Sequence, residues 1–282
     1  MLNPNFFNTI FVIPILNLLV AFYKLFLLIK LPGAFGFAII ALTAFVRLLF
    51  QPFFKKQMET AKKMAELKPH IDRLNEKHKN DKKQLQQEQM KLYQQAGINP
   101  ASGCLVMIVQ IPIFIALYNT LNLFLINGQA VKAIAEVNKV LYASFLKISA
   151  VDTWFFGLNL AKTPADGKIW YYLLIPLITG ALQYFQTVSM TPPTAAKTDS
   201  VEERSGRTES VNKKDGGDDF QKAMNTQMKY LFPLMIGWFA YKLPIGLSLY
   251  WNVFSLFSII QGRKLNPKSK AQMTNQIQKP ND

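Results

Sequence analysis

The sequence predicts an all-α polytopic membrane protein, and three observations carry that prediction. Half of the 282 residues are hydrophobic, with 22 Phe, while only 17% are charged. The apolar residues gather in blocks long enough to form helices of about 20 residues, the length that crosses a hydrocarbon core about 30 Å thick. The 32 Lys and Arg, against 17 Asp and Glu, cluster in segments beside those blocks. Positive-inside topology explains that placement better than nucleic acid does, so no sequence-specific nucleic-acid binding is expected.

The chain opens with an ambiguous segment, residues 1–32. Phe6 to Leu31 is apolar enough to span, yet Asn8, Asn17, Lys24 and Lys30 interrupt it and Pro14 lies inside it. An interfacial amphipathic helix is favoured over an extra span. No basic n-region precedes the apolar stretch and no small-x-small site follows it, which argues against a cleaved signal peptide.

Residues 33–54 form the first clear span, and Arg47 sits inside its apolar run, Phe35 to Phe54. At about 1.5 Å per residue the run makes a helix of about 30 Å with Arg47 at membrane depth. A guanidinium at a helix centre costs on the order of 3 kcal/mol on insertion scales, and it does not shed its proton. Snorkelling suits charges near helix ends, and no other apolar run offers an Asp or Glu as partner. Arg47 is therefore expected to face protein or a water-filled cavity, with a functional role.

Residues 55–99 should fold as a cytoplasmic helical hairpin. Eleven basic residues between Lys55 and Lys91 place it inside. Met58, Ala61, Met64, Leu67, Ile71 and Leu74 recur at helical spacing, and Leu85, Gln89, Leu92 and Tyr93 continue a second stripe. Lys79-Asn80-Asp81 reads as the turn between them, and Gly97 with Asn99-Pro100 as the stop. The stripes fit two helices packed together or a docking face for a partner; a merely solvated connector is the alternative.

Four more spans follow at residues 103–126, 169–190, 224–241 and 246–262, the last two joined by a turn at Lys242 to Gly246. With spans alternating, residues 127–168 lie outside; they hold a helix-like piece from Ala130 to Leu146 and Trp154-Phe155-Phe156, which suit a membrane interface. Residues 191–223 read as a flexible cytoplasmic loop, because Thr191 to Asp219 is polar with Pro192-Pro193 at its start. Residues 263–282 form a basic cytoplasmic tail.

Polar residues inside the spans fall on stripes. Thr179, Gln183 and Gln186 share a face of the third span, and Ser248, Asn252, Ser255 and Gly262 line the fifth. Gln110 is a further candidate on the second. Helix packing and a hydrophilic pocket shared with Arg47 explain such stripes equally well.

Enzyme signatures are absent: there is no Walker-type Gly-rich loop, no His-Glu-x-x-His and no Gly-x-Ser-x-Gly. Spans without acidic residues lack the usual carboxylates of a proton relay or a cation-coupled carrier. The single Cys104 excludes an intrachain disulfide and a Cys-rich metal site, and His70 and His78 read as solvated surface residues. Neither a catalytic residue, a cofactor nor a metal is expected.

The ordered motifs resemble a known family. Val46-Arg47 and Pro52 in the first span precede the basic hairpin; Asn99-Pro100-Ala101-Ser102-Gly103-Cys104 then leads into Gln110-Ile111-Pro112-Ile113-Phe114 and Ala116-Leu117-Tyr118. The last span opens with Leu243-Pro244-Ile245-Gly246-Leu247-Ser248-Leu249-Tyr250-Trp251 and closes with Ile259-Ile260-Gln261. This set resembles the YidC/Oxa/Alb membrane protein insertases over about Phe35 to Ile126 and Tyr171 to Gly262. The resemblance implies five transmembrane helices around a hydrophilic groove, with Arg47 as the groove arginine and Phe6 to Leu31 as an amphipathic outer-leaflet helix. Gln110, Thr179, Gln183, Gln186, Trp251, Asn252 and Ser255 are the other expected groove residues.

The implied function is insertion of nascent membrane proteins into the lipid bilayer, with the hairpin and basic tail meeting substrate, ribosome or Sec translocon. The chain lacks the large outer domain and extra N-terminal span of some bacterial relatives and the lipoprotein signal of others, and its Thr191 to Asp219 loop is longer than a minimal member needs. A bacterial plasma membrane is the expected location, since no organellar transit peptide precedes the core. A small anion channel or carrier using the buried Arg, or a non-catalytic membrane scaffold, are the competing readings.

Overall fold

The computed structural model describes residues 5–78, 81–97, 102–125, 130–166, 169–190 and 227–265. The expected turn at Lys79-Asn80, the stop at Asn99-Pro100, loop 191–223 and the tail beyond Leu265 lie outside the described residues.

A π-helical turn, Asn8–Val12, leads into α1, Ile13–Leu28, with Pro14 in the first turn where its missing N–H is not needed. The chain reverses through Lys30 and Gly33, both at positive φ, into α2, Ala34–Leu49. That helix stops at Phe50, before the expected end of the first span at Phe54, and α3 runs from Gln51–Lys77. Pro52 is the reason: it has no N–H to offer the Leu48 carbonyl, and its ring would strike that carbonyl in a continuous helix. The segments Ala34–Leu49 and Gln51–Met64 accordingly meet at a bend of 61°. Arg47 thus lies in the last turn of α2 rather than mid-helix, where the carbonyl end of the helix dipole favours a cation.

Helix α4, Lys82–Gln95, folds beside α3. The Asp81 side chain caps it by accepting from the Gln84 N–H at 3.0 Å, and Gln89 Nε2 donates across the pair to Asn75 Oδ1 at 2.8 Å. Lys91 donates to Glu88 at 3.0 Å and holds that carboxyl below its ordinary range, but the pair is solvent-screened. Helix α5, Ser102–Leu125, follows.

The segment that follows α5 departs from expectation in its first helix. Helix α6 covers Ala130–Val140 only, and Ser144–Leu146 is a separate 3₁₀ turn. The Asn17 side chain of α1 takes over as the stop: its Nδ2 donates to the Val140 carbonyl at 3.1 Å and its Oδ1 accepts the Tyr142 N–H at 2.7 Å. Next comes a two-stranded hairpin, β1 at Trp154–Phe155 and β2 at Leu158–Asn159. Phe156 and Gly157 both take positive φ, as a tight hairpin turn requires. Trp154 and Phe156 stay exposed, whereas Phe155 wedges against Gly33 and Gly36 of the α2 entry.

A Cβ on Gly36 would lie 2.2 Å from Phe155 Cδ2. Gly36→Ala is therefore expected to destabilise by about 1–3 kcal/mol through overpacking, read as a lowered Tm of the detergent-solubilised protein. Phe155→Ala in the same background should recover part of the loss, because it removes the clashing ring.

A 3₁₀ turn at Trp170–Leu173 starts α7, Leu174–Met190. A π-helical turn, Gln227–Leu231, starts α8, Phe232–Lys242, and α9 spans Ile245–Leu265. The first N–H groups of α9 are satisfied by the loop after β2: Ile245 N–H donates to the Lys162 carbonyl at 3.0 Å and Gly246 N–H to the Leu160 carbonyl at 2.9 Å. Helix α9 is central, packing on α2 and α7, while α8 packs on the far side of α7.

Among the described residues, Asn8–Leu28 and Ile245–Gly262 are continuous helices long and apolar enough to cross a membrane, and the bent pair of α2 and α3 is a third candidate. The apolar core is concentrated at one end of the bundle. It joins Leu16 and Leu19 of α1, Phe35 and Leu42 of α2, Leu117 and Leu121 of α5, Leu160 of the loop, and Ile245 and Tyr250 at the start of α9. Polar side chains collect further along α2 and α9.

Candidate functional site

Arg47 is 1% exposed, and its partners come from two other helices, α3 and α9. Its Nη2 donates to the Ser258 hydroxyl of α9. The Phe54 ring of α3 lies 3.9 Å from Cζ, and the Phe254 ring of α9 lies 4.3 Å from it. Those two ring centroids are 6.0 Å apart, so the rings form a corner around the guanidinium rather than a sandwich. The bend at Phe50 is what brings Phe54 back onto Arg47. Cation–π contacts of this kind partly replace water around the charge, and none of the guanidinium's partners among the described residues is a carboxylate.

Buried polar atoms on Arg47 and on α3, α7 and α9 are incompletely paired. Arg47 Nε and Nη1, Ser255 Oγ, Asn252 Oδ1, Gln186 Oε1 and Gln57 Oε1 are buried with no hydrogen-bond partner among the described residues. A buried polar group without a partner costs on the order of 1–3 kcal/mol, so each such atom gains from water or a polar ligand that reaches it. Donors and acceptors both occur, from α2, α3, α7 and α9.

Of the expected residues, Gln183 and Trp251 are joined directly: the indole Nε1–H donates to Gln183 Oε1 at 2.8 Å, and the indole stacks edge-on with Phe114 of α5. Asn252 and Ser255 follow on α9 within about a turn, and Ser258 a turn beyond. Gln186 lies one turn past Gln183 on α7. Thr179 is not joined to the others: its hydroxyl donates back to the Ile175 carbonyl at 2.8 Å, a local bond within α7. Gln110 falls within α5, and its side chain lies outside the described residues. Gln57, Ser258, Phe54 and Phe254 are the site residues that sequence reasoning missed. Ser258 continues the Ser248 to Gly262 stripe, a signal that was available; the phenylalanines carried none.

Gln183→Leu would leave the Trp251 N–H without its acceptor and is expected to cost about 1–3 kcal/mol. Trp251→Phe added to Gln183→Leu should cost less than the sum of the single changes, as unfolding midpoints in detergent would reveal.

All of these residues lie within residues 27–272, which match the family model described as 60Kd inner membrane protein. The chain belongs to the YidC/Oxa/Alb family. Family members similar to it include the membrane protein insertase YidC of Oceanobacillus iheyensis, 30% identical over 92% of this chain and 83% of that protein. The inner membrane protein ALBINO3 of Arabidopsis thaliana is 32% identical over 84% of this chain, and the ALBINO3-like protein 1 of Chlamydomonas reinhardtii 32% identical over 82%. The chain spans about half the length of these chloroplast relatives, 48% and 43%. Family membership and the apolar helices together make it a membrane protein.

Proposed function

We propose that this protein is a membrane protein insertase that receives short polar segments of nascent membrane proteins in a hydrated groove around Arg47. One observation supports the reading: Arg47 is a buried cation with unpartnered nitrogens, and the helices α3, α7 and α9 carry further buried, unpartnered polar atoms at Gln57, Gln186, Asn252 and Ser255, while the apolar cluster gathers α1, the start of α2 and the start of α9. A groove that is wet on one side shortens the apolar distance a polar segment must cross. The polar lining supplies hydrogen bonds to backbone that hydrocarbon would leave unsatisfied. Burial of a following apolar helix of about 20 residues drives release into lipid, and no nucleotide is required. Neither a metal nor a cofactor enters this scheme, and the protein acts as a non-enzymatic chaperone.

In this reading α2, α5, α7, α8 and α9 are the five spans, α3 and α4 form the cytoplasmic hairpin of a multi-pass bacterial plasma-membrane protein, and the ribosome or a Sec translocon meets the hairpin and basic tail. Helix α1 lies in the outer interface. Its contacts support this: Asn17 and Tyr23, about 9 Å apart along the helix, both bond the α6 to β1 segment, Tyr23 through its hydroxyl to the Asp152 N–H at 3.2 Å. A helix running away through the bilayer would leave that segment after one contact. The channel reading is not favoured, because a conducting path needs the apolar end open.

Photocrosslinkers at positions 57, 186 and 252, with position 121 in the apolar core as control, test the proposal against a ribosome-stalled nascent membrane protein. Crosslinks from the first three positions and none from the control are expected. Absence of crosslinks from all three would end the groove reading.

A further inference from the structure

The tip of the β1–β2 hairpin runs against its own backbone chemistry. A two-residue turn with positive φ at both positions calls for Asn or Asp followed by Gly. Here the pair is Phe156-Gly157, at φ 48° and 83°. A bulky side chain is strained in the left-handed region. Phe156 is also 75% exposed, so packing within the chain does little to offset that strain. The conformation is imposed by neighbours: Phe155 is wedged at Gly33 and Gly36, and the Tyr171 hydroxyl donates to the Gly157 carbonyl at 3.0 Å. What the turn gains is placement, an aromatic ring held outward on a fixed support.

That ring has company. The Phe37 ring lies 5.9 Å from Phe156 and 6.0 Å from Phe26, which brings the hairpin tip to the end of α1. There Leu27, Leu28 and Ile29 are all exposed, Leu28 by 80%, and Trp154 is exposed on β1. Exposed apolar side chains on a spanning helix face lipid, but these stand at a hairpin and a helix end, where a surface in water would be polar. Residues 24–37 and 153–160 carry two lysines, Lys24 and Lys30, and no acid. Aromatic and aliphatic side chains rimmed by lysine suit the boundary between acyl chains and phosphate headgroups.

We propose that the hairpin tip and the turn between α1 and α2 form a wedge that inserts into the outer leaflet, with Phe156, Trp154, Leu28 and Ile29 below the headgroups and Lys30 at the phosphates. The inference rests on the outer placement of α1 and residues 127–168 in the reading above, and adds to it a second anchor. Its consequence reaches the site. Phe155 ties the hairpin to the start of α2, and Arg47 follows roughly 20 Å along that helix. The wedge therefore sets the depth at which the cation stands in the bilayer.

The test places single cysteines in the full-length protein with Cys104→Ser, labels them with a nitroxide and reconstitutes the protein in phosphatidylethanolamine and phosphatidylglycerol vesicles. The quantity read is the ratio of collisions with oxygen, which partitions into lipid, to collisions with a water-soluble nickel chelate. Position 177, exposed on α7, calibrates lipid, and position 86, exposed on α4, calibrates water. The ratios at 156 and 28 should lie several-fold above that at 86 and approach that at 177. Because a label at 156 replaces the ring itself, position 154 is read with Phe156 intact and should also be high. Phe156→Asp should bring position 154 down to the value at 86, whereas Phe156→Leu should leave it unchanged.

Nickel access at 156 and 28 equal to that at 86 overturns the inference. Shielding from both reagents overturns it too, since a protein partner or a second copy then covers the patch. So does a Phe156→Asp variant that keeps position 154 in lipid. Position 149, exposed in the same outer segment, separates this from the topology. Reaction there with a membrane-impermeant maleimide on intact cells supports the outer placement, and water at 156 then strikes the wedge alone. Reaction only after permeabilisation strikes the topology and the wedge together.

Discussion

Arg47→Met is expected to lower insertion of substrates with acidic translocated segments by ten- to a hundredfold while raising the Tm of the protein. The functional loss follows from removing the one buried cation at the site, since a hydrogen bond to a charged group is worth about 1.5–3 kcal/mol and each 1.4 kcal/mol is about tenfold. The gain in stability follows from the same geometry read the other way. Arg47 is 1% exposed, has no carboxylate partner among the described residues, and leaves Nε and Nη1 unpaired. A methionine fills the same corner between Phe54 and Phe254 without a charge to desolvate. Ser258 keeps its bond to the Phe254 carbonyl, so no new orphan is created. Arg47→Lys retains the charge and its ring contacts and should keep insertion within about threefold of wild type. Insertion assays with acidic and neutral tails, run beside thermal unfolding in detergent, check both halves. Full insertion of acidic-tailed substrates by Arg47→Met would end the role assigned to the charge.

Gly237→Leu is expected to separate α7 from α8 and to abolish stable folding of that half of the bundle. The two helices cross at Gly180 and Gly237, where a Cβ on Gly237 would sit 3.2 Å from the Pro176 carbonyl oxygen and 3.6 Å from Gly180 Cα. Close backbone approach at small residues is what lets such helices hold together. A leucine forces the backbones apart and forfeits contact along the whole crossing, a loss on the order of 3 kcal/mol or more. The neighbouring positions rank the effect. A Cβ on Gly180 meets the Pro233 carbonyl oxygen at 3.4 Å, an ordinary contact, so Gly180→Ala should be neutral or slightly stabilising through helix propensity. Gly237→Ala should fall between. Protease resistance in native membranes and Tm in detergent order the three variants. Since α7 also carries Gln183 and Gln186, Gly237→Leu should lose the crosslink from position 186 as well.

Particular residues explain how much of this was legible in the sequence. Arg47 announced itself because a charge in an apolar run is costly wherever it ends up. The pairing of Gln183 with Trp251 was not legible, since the two residues lie on different helices and no local period relates them. Thr179 shared a stripe with Gln183 yet spends its hydroxyl on its own helix, which periodicity does not distinguish from a groove contact. Likewise α6 ended early because Asn17, from α1, supplied the competing hydrogen bonds.

By itself the sequence determined the class of protein, the helical character of the apolar blocks, and the presence of an unpaired cation among them. These depend on composition and on periods of a few residues, which act locally. The tertiary structure alone decided where that cation sits. The bend at Phe50 moved it to a helix end, α9 supplied the hydroxyl that holds one of its nitrogens, and two rings from separate helices closed a corner around it. A helix face is fixed by neighbours along the chain, but the partner that meets it is fixed by packing between segments far apart in sequence, and a guanidinium's directional bonds exist only once that packing is made.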